Sequence, residues 1–216
     1  QPSSVNRLST TYLFPFADTE QTDPETGRTD GLLSRLAARG KVPRIFFTNS
    51  ACEYWWGDAS LIHTGLEGEK DLSPLEPVRI YHFAGTQHIS GTFPLTDTSP
   101  TIGLRGQQQL NWVDYGPLIR TALVNLDRWV TSGETPPPSR HPRVDDGTAV
   151  PAESVAGFFQ TIPGVNFPEH PFHLSRLDFG PEEGIASQIP PAVGKPYASL
   201  VSAVDQDGNE LGGILL

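Results

Sequence analysis

The chain has 216 residues, long for one domain and short for two. Gly and Pro number 21 each, about a fifth of the residues together, against a usual combined share of about 12%, so loops and turns should outweigh long regular elements. The formal net charge is −10 with no Lys/Arg stripe, which argues against nucleic acid as a partner; the single cysteine, Cys52, excludes an internal disulfide and a Cys-based zinc cluster; and no apolar run approaches the roughly 18 residues of a membrane helix.

Residues 1–30 are polar and turn-rich. Gly31 to Arg39 reads as a short helix, with Leu32, Leu33 and Leu36 on one face and Gly40 as its stop. Pro43 to Thr48 is predicted as a strand on its buried-type run Ile45-Phe46-Phe47. Asp58 to His63 is predicted as a second short helix, N-capped by Asp58. A charged loop leads to a second strand, Val78 to Phe83, ended by Gly85. After a polar loop the clearest helix spans Pro117 to Thr131. Leu118, Ala122, Leu126 and Trp129 recur at helical spacing, with Ile119, Leu123 and Val130 widening the stripe and Gly133 closing it. Pro136-Pro137-Pro138 reads as a rigid linker. Tyr197–Val204 and Glu210–Leu216 read as a hairpin around Asp207-Gly208.

Helices alternating with strands argue for an α/β fold with a parallel sheet and crossover helices. Two parallel strands alone cannot bury both faces, so partner strands are expected from elsewhere. The chain starts at Gln1 and contains no Met; Gln1 is therefore not expected to be the natural start, and no compartment is assigned.

In open parallel sheets functional groups collect beyond the carboxyl ends of the strands. Two loops qualify: N-S-A-C-E-Y-W-W-G-D, from Asn49 to Asp58, and A-G-T-Q-H, from Ala84 to His88. A carboxylate on one and a histidine on the other make a base with its orienting partner. His88 is the candidate base, Glu53 the candidate acid and Asp58 its competitor. Tyr54, Trp55 and Trp56 are candidates for lining an apolar acyl or aryl pocket, Tyr54 and Trp55 foremost; three consecutive aromatics cannot all face one way, so at least one should pack in the core or a lid.

Three stretches carry a resemblance. F-P-F-A-D-T-E-Q-T-D-P-E-T-G-R-T-D-G-L-L begins at Phe14, P-R-I-F-F-T-N-S-A-C-E-Y-W-W-G-D-A-S-L-I-H-T at Pro43, and V-R-I-Y-H-F-A-G-T-Q-H at Val78. With the Leu118–Trp129 helix and D-Q-D-G-N-E-L-G-G-I near the end, they resemble a bacterial family of large α/β-hydrolase-domain proteins. The resemblance implies a triad in the chain order Ser, Asp or Glu, His, with the serine in a G-x-S-x-G elbow. No G-x-S-x-G occurs in this sequence. The resemblance thus implies the C-terminal part of an α/β-hydrolase fold. Residues 1–135 would form the core carrying the acid and histidine loops, and residues 136–216 a Pro/Gly-rich extension serving as a lid or an elaboration of the core. The nucleophile would lie upstream, and the 216 residues alone are expected to be inactive and loosely folded.

Other candidates have plainer explanations. His82 alternates with Tyr81 and Phe83 in a strand, the setting of a buried, hydrogen-bonded histidine. His63, His170 and His173 match no zinc spacing, and no metal or other cofactor is expected. Cys52 abuts Glu53, whose charge would raise the thiol pKa. The run Asp23–Asp30 lacks the ligand spacing of a calcium loop. The expected function is ester or amide hydrolysis of a small molecule in a longer chain, with the N-terminal remainder of the same protein as partner. The alternative is a hydrolase-like scaffold that binds without chemistry.

Overall fold

The computed structural model describes residues 13–100, 103–168, 171–182 and 185–215. His170 and Leu216 lie outside them, as do residues 1–12. Among the described residues, short strands and helices alternate in a mixed α/β arrangement. A small hairpin, β1 (Gln21–Thr22) with β2 (Thr29–Asp30), precedes helix α1 (Ser34–Ala38). Next come β3 (Ile45–Ser50), α2 (Ala51–Trp55), a 3-10 turn (Ser60–Ile62) and β4 (Val78–Phe83). The long loop after β4 holds a second small hairpin, β5 (Thr98–Ser99) with β6 (Leu104–Arg105), before α3 (Gly116–Ser132). Strand β7 (Ala149–Pro151), α4 (Ala152–Phe159), β8 (Ser175–Asp178), β9 (Ala192–Pro196) and β10 (Leu200–Ser202) complete the order.

The centre is the parallel pair β3–β4, in register from Ile45↔Val78 to Ser50↔Phe83. β3 opens on Ile45-Phe46-Phe47, β4 carries Val78, Ile80, Tyr81 and Phe83, and β4 is buried along nearly its whole length. Val78 and Ile80 pack with Leu33, supported by Leu36, Ile45 and Phe47. On the other side Trp129 of α3 lies against Phe46, with ring centroids 5.8 Å apart. Arg44 and Arg79 stack over the same indole, and the Arg44 guanidinium also reaches the Trp129 carbonyl. Burial of that indole anchors α3 to the sheet; truncation of such a side chain costs about 3–5 kcal/mol.

Several expectations require correction. The first helix starts at Ser34, not Gly31. Residues 32 and 33 spend their backbone N–H groups on Ala17 and Asp18 carbonyls, so neighbouring chain rather than a helical turn satisfies them, and Leu32 is left exposed. No helix is capped by Asp58: the turn there spans three residues, follows Ala59, and lacks a side-chain cap bond. In α3 the stripe Leu118, Ala122, Leu126, Trp129 faces inward as expected, but Leu123 and Val130 are exposed.

The proline-rich stretch is no free linker. Arg140 donates its N–H to the Ile80 carbonyl, His82 donates to the Arg140 carbonyl, and the Tyr81 hydroxyl donates to the Pro137 carbonyl. The tail adds pairings beyond the expected hairpin. β10 pairs antiparallel with β7, while residues 210–214 turn back after Gly208 and lie beside β4. The expected hairpin does form around Asp207-Gly208: Val204 bridges Glu210 antiparallel, Asp205 donates its N–H to the Asn209 carbonyl, and Leu211 donates to the Ala203 carbonyl; β8 with β9 is a further antiparallel pair. Among the described residues no helix is long and apolar enough to cross a membrane.

Candidate active site

Because β3 and β4 run parallel and in register, their carboxyl ends finish side by side. Ser50, the last residue of β3, is extended (φ −88°, ψ 178°) and starts α2. Glu53 therefore falls in the first turn of α2, where a carboxylate satisfies free backbone N–H groups and suits the helix dipole. Ser50 donates both its backbone N–H (2.7 Å) and its hydroxyl to Glu53 Oε2. This reciprocal capping arrangement, S-x-x-E, fixes one carboxylate oxygen and leaves the other free to act.

That other oxygen, Oε1, meets His88 Nδ1. Against an ionised carboxylate, which only accepts, Nδ1 is the donor, and in the neutral ring this tautomer leaves Nε2 as the acceptor. The Glu53 side chain is 18% exposed and the His88 ring 54%. Among the described residues His88 Nε2 makes no hydrogen bond.

The histidine loop is held from several sides. Gly85 turns the chain at φ +65°. Ala51, the first residue of α2, donates its N–H to the Thr86 carbonyl, tying the acid helix directly to the histidine loop, and the Thr86 hydroxyl donates to the Phe83 carbonyl. Asn111 donates its side-chain amide to the Gly85 carbonyl and its N–H to Gln87 Oε1, and the Tyr115 hydroxyl donates to the His88 carbonyl. Every residue from 85 to 88 thus bonds a neighbouring segment.

The remaining candidates lie apart from this pair. Asp58 makes no bond to His88; its carboxyl is largely buried, with Oδ1 unpartnered, and burial, helped by the nearby Glu53 charge, pushes its pKa up to about 6. Tyr54 is buried and its hydroxyl pairs with His63 Nε2 at 2.9 Å. Trp55 packs against Phe159 and Phe167. The aromatic ring at the site is Trp56, 44% exposed, with its centroid 5.2 Å from the His88 ring. Of the three consecutive aromatics considered from the sequence, it is thus Trp56 that borders the site; Ser50 was not singled out, although the S-x-x-E spacing is a visible signal for it.

Cys52 sits beside the His88 backbone N–H, not its ring nitrogens. Burial raises the thiol pKa, the His88 N–H lowers it, and the charges of Glu53 and Glu210 raise it further. A thiol held up in this way is a poor nucleophile. Burial holds His63 well below the ordinary imidazole range, and neighbouring His141 adds to the effect. His173 lies 3.6 Å from Glu153. Among the described residues no group of three or more His, Cys, Asp or Glu is arranged to hold a metal ion. A cleft of about 750 Å³ is walled by Arg176, Lys195, Tyr197 and Leu200 and includes neither Glu53 nor His88.

A family model described as an alpha/beta hydrolase domain matches residues 16–216. No curated protein and no solved structure matches the chain.

Proposed function

The chain belongs to the alpha/beta hydrolase domain family, and from that premise we propose that Glu53 and His88 are the acid and the histidine of a Ser–Glu–His triad that cleaves a carboxylic ester or amide. The observation that carries this reading is the contact of Glu53 Oε1 with His88 Nδ1, between helix α2 and the loop after β4, which follow adjacent parallel strands.

The chemistry follows from that contact. A serine hydroxyl attacks the substrate carbonyl and passes its proton to His88 Nε2. Glu53 keeps the ring in the Nδ1–H tautomer and stabilises the imidazolium. His88 then protonates the leaving alkoxide or amine as the tetrahedral intermediate collapses to an acyl-enzyme. Water enters by the same proton path in reverse and releases the acid. The serine is one that these 216 residues do not supply in a G-x-S-x-G setting. The described sheet serves as the C-terminal part of the hydrolase core, with residues 136–216 as its elaboration. The pairing of Arg140 and Ile214 with β4 favours elaboration over a lid. Trp56, beside His88, suits an apolar acyl or aryl group in the substrate.

The test uses the full natural chain that contains this sequence and a short p-nitrophenyl ester. His88→Ala should lower kcat/KM by about 10³-fold or more with an unchanged circular dichroism spectrum. Unchanged turnover overturns the assignment. The second reading is a hydrolase-like scaffold that binds and does no chemistry. It is favoured by the lack of any hydroxyl or thiol bonded to the His88 ring among the described residues. Binding of a p-nitrophenyl ester without turnover by the wild-type chain would select it.

A further inference from the structure

A second carboxylate–histidine pair lies buried beneath the first. His82, in β4, is fully buried, and its Nε2 lies 2.9 Å from Glu210 Oε2; the Glu210 side chain is 10% exposed. The same oxygen accepts the backbone N–H of Gly85 at 2.7 Å. Gly85 is the turn residue three positions before His88, so one carboxylate oxygen, 125 residues away in the chain, holds the root of the histidine loop.

Glu210 is itself firmly presented. Asp205 Oδ1 accepts the N–H groups of Asp207 and Asn209, closing the turn before it. Leu211 donates to the Ala203 carbonyl, and Gly212 donates to the Ser202 hydroxyl. Ile214 then donates to the His82 carbonyl, and Ala84 donates to the Ile214 carbonyl, extending the sheet on the far side of β4. Close approach is possible because residue 213 is glycine: φ is +98°, and a Cβ there would stand 2.6 Å from both His82 Cδ2 and the His82 carbonyl oxygen.

His82 also touches the acid side. Its ring packs edge-on against Tyr54 at 4.5 Å, and Tyr54 is the residue after Glu53 on α2. Glu210 and His82 thus connect the base of the histidine loop with the underside of the acid helix.

We infer that Glu210 is a positioning residue for His88, acting through Gly85 and His82 to keep the ring in register with Glu53. The inference rests on the catalytic reading of His88, but its first readout does not. Side-chain ¹⁵N spectra of histidine in the full natural chain report the His88 tautomer directly. In the wild type His88 should be the Nδ1–H form. Glu210→Met keeps the length and removes the acceptor; His88 should become a mixture of tautomers, and kcat for the p-nitrophenyl ester should fall about 10- to 100-fold with KM within about 3-fold. Glu210→Gln retains an acceptor oxygen without the charge, so it should restore most of kcat. It should still let the Gly85 amide exchange about tenfold faster, since charge-assisted hydrogen bonds are roughly twice as strong as neutral ones.

If Glu210→Met lowers kcat and thermal stability while the His88 spectrum stays that of the wild type, Glu210 is merely structural and the inference is overturned. An unchanged spectrum with unchanged kcat overturns it equally. If Glu210→Met does not fold, Glu210→Gln decides: faster Gly85 exchange with a broadened His88 Nδ1 signal supports the inference, and wild-type behaviour of both refutes it. Should His88→Ala retain turnover, the catalytic reading fails alone, and the His88 spectrum still tests the brace.

Discussion

Ser50 and Phe83 stand opposite each other on the last rung of the parallel ladder, and this one register sets the geometry of the candidate site. Three residues past Ser50 the chain reaches Glu53, and five past Phe83 it reaches His88. A one-residue slip would turn every side chain of one strand to the other face and carry the two loops out of step. The buried pattern of β4 resists such a slip, so the core enforces the alignment of the polar pair above it.

Glu53→Gln should separate catalysis from folding. Gln still accepts the Ser50 N–H, as S-x-x-Q capping boxes do, so the melting temperature should change little. The amide no longer enforces the Nδ1–H tautomer, and kcat/KM for the ester should fall about 10³- to 10⁴-fold. Glu53→Ala should add a loss of about 1 kcal/mol in stability from the broken cap. Equal melting-point losses in the two variants would contradict the capping role.

Ser50→Ala removes the hydroxyl that steadies Glu53 Oε2 but leaves the backbone donor. Stability should drop by about 1 kcal/mol, and kcat/KM about 5-fold as the carboxylate gains freedom. The pair should couple: Ser50→Ala in a Glu53→Ala background should cost clearly less stability than in the wild type. Additive losses in denaturant titrations would show that the contact carries no energy.

How far the sequence revealed this arrangement depended on the range of the interaction. Val78–Phe83 and the 116–132 helix were legible because hydrophobic runs, helical spacing, Pro117 and Gly133 are local signals. The positions of Glu53 and His88 were legible because each follows a strand, β3 or β4, but the short helix α2 that carries Glu53 was read as loop. The ends of α1 were not, since Ala17 and Asp18 compete for the N–H groups of Leu32 and Leu33. Glu210 was invisible for a stronger reason: its partners are His82 and Gly85, and no local pattern encodes a contact across 125 residues. Residues 210–214 read as a hairpin strand, and Glu210 does bridge Val204; alternation does not name a second partner, and that partner is β4, beside Ile214.

Trp56→Ala tests the apolar character of the site. The indole borders His88 and is partly open to solvent. Its loss should raise KM for an aryl ester roughly 2- to 10-fold, the scale of one aromatic contact, with a smaller effect on a methyl ester of a short acid. A uniform loss in kcat for both esters would instead mean that Trp56 steadies the His88 ring.

Asp58→Asn tests both stability and the choice of acid. Asp58 Oδ1 is buried without a hydrogen bond, and burial raises the carboxyl pKa to about 6 from 3.8. Between those values the folded chain keeps a proton that the unfolded chain has lost. The stabilising contribution is therefore complete below about pH 4 and lost as pH rises through about 6. At neutral pH the buried charge costs on the order of 2 kcal/mol, after allowance for partial solvent access. Asn is neutral at all pH and keeps an acceptor oxygen. The variant should gain on the wild type between pH 4 and 7 in urea titrations, and the gain should level off above about pH 7. Parallel curves would mean that Asp58 is not ionised against its surroundings. At pH 8, where Asp58 is charged and could compete as the acid, Asp58→Asn should retain turnover while Glu53→Gln loses it. The opposite pattern would move the role of acid from Glu53 to Asp58, despite the contact of Glu53 with His88 Nδ1.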